Sequence, residues 1–119
     1  NAWKIGMLSE ISGYHHATQY NPDEIKALAG ASMRLGADAI EVYDKDFAMN
    51  ERLVKDVKEA GNFPVILGGG TTVENCKDRL RYADGALVGT AFEGGKWGGP
   101  VIGSIVAEYV RNVRELEED

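Results

Sequence analysis

The chain has 119 residues, of which 44% are hydrophobic and 27% are charged, so it is long enough for one domain with a buried core. The net charge of −6 argues against binding to nucleic acid or to anionic membrane surfaces. The single cysteine, Cys76, excludes an internal disulfide and a multi-cysteine zinc site. No apolar run is long enough to span a bilayer, and no signal-peptide pattern is present, so we expect a cytoplasmic protein without an integral membrane segment.

The first strand–helix unit begins with residues 3–9, which are predicted to form a strand that enters a polar and aromatic loop at 10–20. A helix start follows. Asn21 is suited to the N-cap, Pro22 to the first helical position, and Glu24 stands three residues after the cap. The sequence therefore predicts a helix from this point, with an apolar stripe made of Ile25, Leu28, Ala29, Met33 and Leu35.

The second unit has the same order of elements. Gly36 is predicted to end the first helix, and residues 38–43 form the next strand. After a loop, Asn50 is predicted to cap a second helix, and Gly61 occupies its C-terminal cap position.

The third and fourth units contain two short apolar strands that both end in glycine. Residues 64–67 precede three glycines at 68–70, and a capped helix is expected to open near Thr72. Residues 85–88 form the next strand, which ends at Gly89 and Thr90.

A glycine-rich loop at 92–100 and a final amphipathic helix at about 101–117 complete the chain. Four strand–helix units with short buried strands predict an α/β fold with a parallel sheet. No linker or low-complexity segment divides residues 1–119, so we expect a single domain.

The glycine turns suggest an anion site. Glycine permits positive φ and has no Cβ, so its backbone can approach a phosphate closely, and backbone N–H groups in such turns suit an anion. In (β/α)8 barrels the phosphate site is frequently built from the loops after the seventh and eighth strands. We therefore predict phosphate binding by Gly69, Gly70, Gly89 and Thr90, and the alternative is that these glycines are ordinary connections between strands and helices.

The run GGGTTVENCKDRLRYADGALVGTAFEGGKW resembles the BtpA family. The resemblance lies in residues 64–65, 68–70, 72–75, 82–85 and 88–90, and it covers roughly the last half of the chain. It implies a phosphate-binding (β/α)8 barrel. The family is associated with photosystem I biogenesis in cyanobacteria and with sugar-metabolism operons in other bacteria. The loop YDKDFAMN departs from the glycine- and threonine-containing turn that the resemblance implies there.

Three carboxylates are candidates for acid–base chemistry. Strand alternation puts Glu41 on the face opposite Ile40 and Val42, and Asp44 follows at the C-terminal end of the strand, where barrel active sites lie. Glu10 stands in or beside the first loop. A carboxylate at such a position can act as a general base, and the alternative is a solvated or hydrogen-bonded side chain without a catalytic role.

The remaining reactive residues carry weaker signals. His15 and His16 are suited to proton transfer, but ordinary exposed loop histidines are slightly favoured. Cys76 is interpreted as a small buried hydrophobe. Lys96 and Trp97 are equally compatible with covering a ligand and with packing on the rim of the fold. No spacing of His, Asp or Glu is diagnostic of a metal site, and no cofactor is predicted.

Two functions remain open at this point. The first is binding of, or action on, a phosphorylated sugar or a nucleotide-like small molecule, and the second is a non-catalytic assembly factor that uses the barrel as a scaffold. Only two units precede the phosphate-type turns, so the chain is predicted to be the C-terminal half of a barrel. We expect either a missing N-terminal half or a homo-oligomer that pairs through strands at 4–9 and 85–88.

Overall fold

The computed structural model describes residues 8–12, 21–44 and 46–118. Within these ranges the strands are β1 (Leu8–Ser12), β2 (Ala39–Tyr43), β3 (Val65–Leu67) and β4 (Gly85–Ala86). The helices are α1 (Pro22–Arg34), α2 (Phe47–Ala60), α3 (Cys76–Arg79) and α4 (Gly103–Glu118), with a 3-10 helix at Thr90–Glu93. The strands follow the order β1-β2-β3-β4, so the predicted α/β fold with four strand–helix units is confirmed.

The chain divides into two compact units, Asn1–Ile66 and Leu67–Asp119. In the first unit β1 runs parallel to β2, with a register from Leu8 opposite Ala39 to Ser12 opposite Tyr43. Glu10 lies within β1, opposite Glu41, and not in the loop beyond the strand. The predicted strand residues 3–7, together with His15 and His16, lie outside the described residues.

Helix α1 begins as the sequence predicts. The Asn21 side-chain oxygen accepts hydrogen bonds from the backbone N–H groups of Asp23 and Glu24, at 3.0 and 3.4 Å. These bonds satisfy two of the backbone donors that a helix start leaves unpaired. The helix ends before Gly36, which has a φ of 103° that an L side chain rarely adopts.

The core of the first unit is aliphatic. Helix α1 packs on α2, and both contact β2. Fully burying one large aliphatic side chain contributes about 1.5–3 kcal/mol, so this core supplies much of the stability of the unit. The buried hydrophobic residues described in this unit are Ile25, Ala29, Ala37, Ala39, Ile40, Val42, Leu53, Val54, Val57, Val65 and Ile66. The apolar stripe of α1 is narrower than predicted, since Leu28 and Leu35 are 44% and 84% exposed.

The start of α2 differs from the prediction. Asp46, not Asn50, is the N-cap, and its side chain accepts a hydrogen bond from the Met49 N–H at 3.0 Å. Asn50 is buried one turn inside the helix, where its side-chain oxygen accepts from the backbone N–H of Asp44 at 3.1 Å. Both residue types make good caps, and the tertiary position of the turn decides between them. Gly61 is the C-cap of α2, as predicted.

The second unit is less regular than its sequence suggests. Strand β4 is joined to the end of β3 by the hydrogen bond from Leu87 N–H to the Leu67 carbonyl at 2.8 Å, but β4 has two residues instead of four. No helix opens near Thr72, because residues 72–75 form a turn and α3 is only four residues long. Among the residues of α4 whose side chains are described, 103–117, only Tyr109 is buried, while Val110 is 39% exposed. Across the described part of the chain, no helix has both the length and the apolar character that crossing a membrane requires.

Candidate functional site

The loop after β3 is shaped by glycine and held by Asn75. Gly70 has a φ of 81°, in the left-handed region that glycine enters at little cost. The Asn75 side chain donates to the Gly70 carbonyl at 3.0 Å and accepts from the Thr72 N–H at 2.7 Å. Thr72 in turn accepts from the Asn75 N–H at 3.2 Å. These two reciprocal hydrogen bonds hold the turn at residues 72–75, where the sequence predicts the start of a helix.

The two glycine turns line one open cavity of about 340 Å³ in the second unit. Its walls are residues 68–71, which follow β3, and residues 87–91, which follow β4. All four predicted phosphate-binding residues, Gly69, Gly70, Gly89 and Thr90, are among them. Pockets for small molecules have volumes of about 300–1,000 Å³, so this one has room for a phosphate and part of the group that carries it.

The chemistry of this cavity is that of the backbone. None of the described residues that line it carries a charged side chain, and only Thr71 and Thr90 contribute hydroxyl groups. Backbone N–H groups in glycine turns are donors with fixed partial positive charge, so they can hold an anion without a cation. This suits a protein whose overall charge is −6.

Helix α4 holds the loop after β3 and the following helix α3 through three side chains spaced three residues apart. The Tyr109 hydroxyl lies 2.9 Å from the Thr71 hydroxyl, and both residues are buried. The Asn112 side chain donates to the Val73 carbonyl at 3.0 Å. Glu115 forms an ion pair with Lys77, which lowers the pKa of the Glu115 carboxyl.

Tyr109 also contacts the other wall. Its ring meets Phe92 edge to face, with ring centroids 5.2 Å apart and an interplanar angle of 88°. Phe92 is tied to the second glycine turn by its N–H, which donates to the Gly89 carbonyl at 2.9 Å. Helical spacing alone marks Tyr109 as one more residue on the inward apolar face of the last helix. A buried tyrosine usually has a partner for its hydroxyl, and that is the signal that could have pointed to Thr71.

The catalytic candidates belong to the first unit. Asp44 directly follows β2 and is 1% exposed. One of its carboxylate oxygens accepts from the Asp46 N–H at 2.8 Å, so the carboxylate helps to form the turn before α2. Glu41 is half-buried, and Glu10 lies opposite it in the strand register. Their proposed chemistry stays a prediction.

The other candidates have separate positions. Trp97 is 90% exposed, and neither Lys96 nor Trp97 lines the cavity between the glycine turns. Cys76 is fully buried, as predicted, and removal from water raises the pKa of its thiol. The described residues contain no cluster of three or more His, Cys, Asp or Glu side chains that could hold a metal ion.

Comparison with known proteins supports the fold. No protein-family model matches the chain, and no curated protein matches it. Among solved structures, it is similar to N-(5'-phosphoribosyl)anthranilate isomerase from Pyrococcus furiosus, with a TM-score of 0.65 and 22% identity over 91% of this chain and 50% of that one. It is also similar to the carboxyl transferase domain of Rhizobium etli pyruvate carboxylase, with a TM-score of 0.54 and 20% identity over 94% of this chain and 24% of that one.

Both similar proteins are TIM barrels, and this chain spans about half the length of the isomerase. The predicted fold class, half of a (β/α)8 barrel, is therefore confirmed. At these identities the likeness concerns the fold alone, and the BtpA resemblance stays a prediction.

Proposed function

We propose that the chain is a BtpA-like phosphate-binding barrel protein that binds or acts on a phosphorylated sugar or a nucleotide-like small molecule. The observation that carries the proposal is that the two glycine turns, which the sequence predicts to form one phosphate site, line one cavity of about 340 Å³. The turns also have the positions after consecutive strands that phosphate loops occupy in barrels. The isomerase of similar fold is named for a phosphoribosyl compound, which is consistent with this ligand class.

The test is titration calorimetry with inorganic phosphate and a panel of sugar phosphates and nucleotides, applied to the wild type and to Gly89→Leu. A Cβ at Gly89 would meet nothing within 4 Å, so the leucine side chain has room there. The leucine would fill part of the cavity and should abolish phosphate binding.

Gly103→Leu is the matched control, because a Cβ there also meets nothing within 4 Å and Gly103 lies outside the cavity. It should bind phosphate like the wild type. Equal phosphate affinity in Gly89→Leu and the wild type would overturn the proposed site.

Acid–base function is proposed for Asp44, with Glu41 and Glu10 as the other candidates. Asp44→Asn keeps an oxygen that can accept from the Asp46 N–H, so the turn should persist. If the chain is an enzyme and Asp44 is its base, turnover should fall by about 10²–10⁴-fold while phosphate binding is retained. Full turnover in Asp44→Asn would exclude Asp44 as the base and would leave Glu41 and Glu10 as candidates.

We propose as a second candidate function that the fold is an assembly scaffold whose partner is a second copy of this chain. An open groove of about 370 Å³ lies beside β4 and α4, with Val110, Val113 and Leu116 among its walls. Strand β4 ends the strand order of the described residues, and exposed strand edges favour pairing with another chain.

Exposure supports that partner, because Val110, which lines the groove, is 39% exposed. Light scattering should report a dimer, and Val110→Glu should convert it to a monomer. A wild-type monomer that unfolds cooperatively would contradict this assembly.

A further inference from the structure

Tyr109 is the one buried side chain of α4 that has a described contact to each of the two loops forming the cavity. Its hydroxyl is bonded to Thr71, which lines the wall after β3. Its ring packs against Phe92, which directly follows the wall after β4. Tyr109 itself does not line the cavity, so it contacts the two loops from outside the cavity.

We propose that Tyr109 is a positioning residue for the phosphate pocket: its hydroxyl fixes the glycine turn after β3, its ring fixes the turn after β4, and the spacing of the two turns is set by this one side chain. The effect on ligand affinity rests on the proposed function, whereas the anchoring of the turns can be measured without a ligand.

The physical reason is that glycine turns lack stiffness of their own. Glycine has more backbone conformations available than any other residue, so a wall built from residues 68–70 loses entropy when it is ordered around an anion. A loop that is held before the ligand arrives has already lost that entropy, and binding is tighter by the same amount.

Asn112 assists at the first wall. It lies one turn after Tyr109 on α4, and its side chain donates to the Val73 carbonyl two residues beyond Thr71. The loop after β3 is therefore attached to α4 at two successive points. At the second wall, the backbone N–H of Ile102, which directly precedes α4, donates to the Phe92 carbonyl at 2.7 Å, so the segment after β4 is held at Phe92 by this bond and by the ring contact with Tyr109.

The experiment separates the two contacts of Tyr109. Tyr109→Phe removes the hydroxyl and keeps the ring against Phe92, whereas Phe92→Leu removes the ring contact and keeps the hydroxyl bond. Tyr82→Phe is the matched control, because Tyr82 is 54% exposed and lies outside the cavity. Amide hydrogen exchange is measured on the ligand-free proteins, and titration with inorganic phosphate follows.

Tyr109→Phe should speed exchange about three- to tenfold at residues 68–73 and should leave residues 88–93 nearly unchanged, since one net hydrogen bond is lost. Phe92→Leu should give the opposite pattern. Both variants should bind phosphate about three- to tenfold more weakly than the wild type, and Tyr82→Phe should match the wild type in both measurements.

The outcomes distinguish the two proposals. Exchange in Tyr109→Phe that equals that of Tyr82→Phe overturns the positioning role. Faster exchange at 68–73 in a protein whose wild type binds no phosphate supports the anchoring of the turn and overturns the proposed function. A uniform increase over the whole second unit means that Tyr109 only stabilises the fold, and this also overturns positioning.

Discussion

The turns after β2 and β3 follow neighbouring strands but are built in opposite ways. After β2, the Asp44 carboxylate accepts from the Asp46 N–H, and the Asn50 side chain accepts from the Asp44 N–H. Side chains of the chain itself therefore bind backbone N–H groups of this turn. After β3, three glycines leave the inside of the turn empty, and Asn75 supports it from its far end.

The difference teaches how one strand–turn–helix pattern can serve stability or binding. A carboxylate or amide inside the turn uses the backbone donors and excludes solvent, as Asp44 at 1% exposure illustrates. Glycine leaves those groups accessible to a ligand, and the order of the turn must then come from contacts outside it, here from Asn75, Tyr109 and Asn112.

The largest effect is expected in the aliphatic core of the first unit, the unit that contains the turn after β2. Leu53 is fully buried in α2, and Leu53→Ala should lower the free energy of unfolding by about 2–5 kcal/mol, through lost burial and a residual cavity. Chemical denaturation measures this change. Leu35→Ala is the control, since Leu35 is 84% exposed and its loss should cost less than about 0.5 kcal/mol. Equal costs for the two variants would contradict this account of the core.

A smaller effect is expected from removing one side-chain acceptor from the turn after β2. Asn50→Ala removes the acceptor of the buried Asp44 N–H and should cost about 1–3 kcal/mol in unfolding free energy. Asn62→Ala, at an exposed position after α2, controls for the loss of an amide and should be nearly neutral. If both variants unfold at the same denaturant concentration, the Asn50 side chain does not support the turn.

Alkaline pH should weaken the second unit by a moderate amount. Burial raises the pKa of the Cys76 thiol above 9.0 and the pKa of the Tyr109 hydroxyl above 10.0, so the folded chain keeps these protons to higher pH than the unfolded chain. The stabilisation is fully present below those values and is lost as the pH rises through the folded pKa values. Unfolding free energy should therefore fall as the pH rises above about 9, at no more than about 1.4 kcal/mol per pH unit for each group.

Tyr109→Phe should make this decline shallower above pH 10, because it removes one of the two ionisable groups. Denaturation curves collected at several pH values provide the measurement. An unchanged slope in Tyr109→Phe would exclude the tyrosine as a source of the alkaline loss.

The smallest effect is expected at the surface of the first unit. Lys26 and Glu59 form an ion pair at 2.7 Å, which raises the pKa of Lys26 and lowers that of Glu59. Glu59 is 62% exposed, and ion pairs in water contribute little. Lys26→Ala should therefore give no measurable change in thermal unfolding. A clear drop that disappears at high salt would mean that the pair matters more than its exposure suggests.

Much of the fold was predictable because its signals are local. Asn21 bonds to amides two and three residues away, and Gly61 ends the helix that it follows directly, so a few adjacent residues specify each boundary. The glycine turns were predictable for the same reason. Asn50 was assigned to the wrong role because Asp46 and Asn50 are both good caps, and only the position of the Asp44 turn distinguishes them.

The sequence by itself determined the α/β alternation, the caps at Asn21 and Gly61, and the two glycine turns. Tertiary structure decided that both turns line one cavity, that Asp44 is buried, and that Tyr109 holds Thr71 across 38 positions of the chain. The physical reason is the range of the interactions. Caps and turns form between residues a few positions apart, whereas the Tyr109 contacts exist only after α4 has packed against the loops that follow β3 and β4.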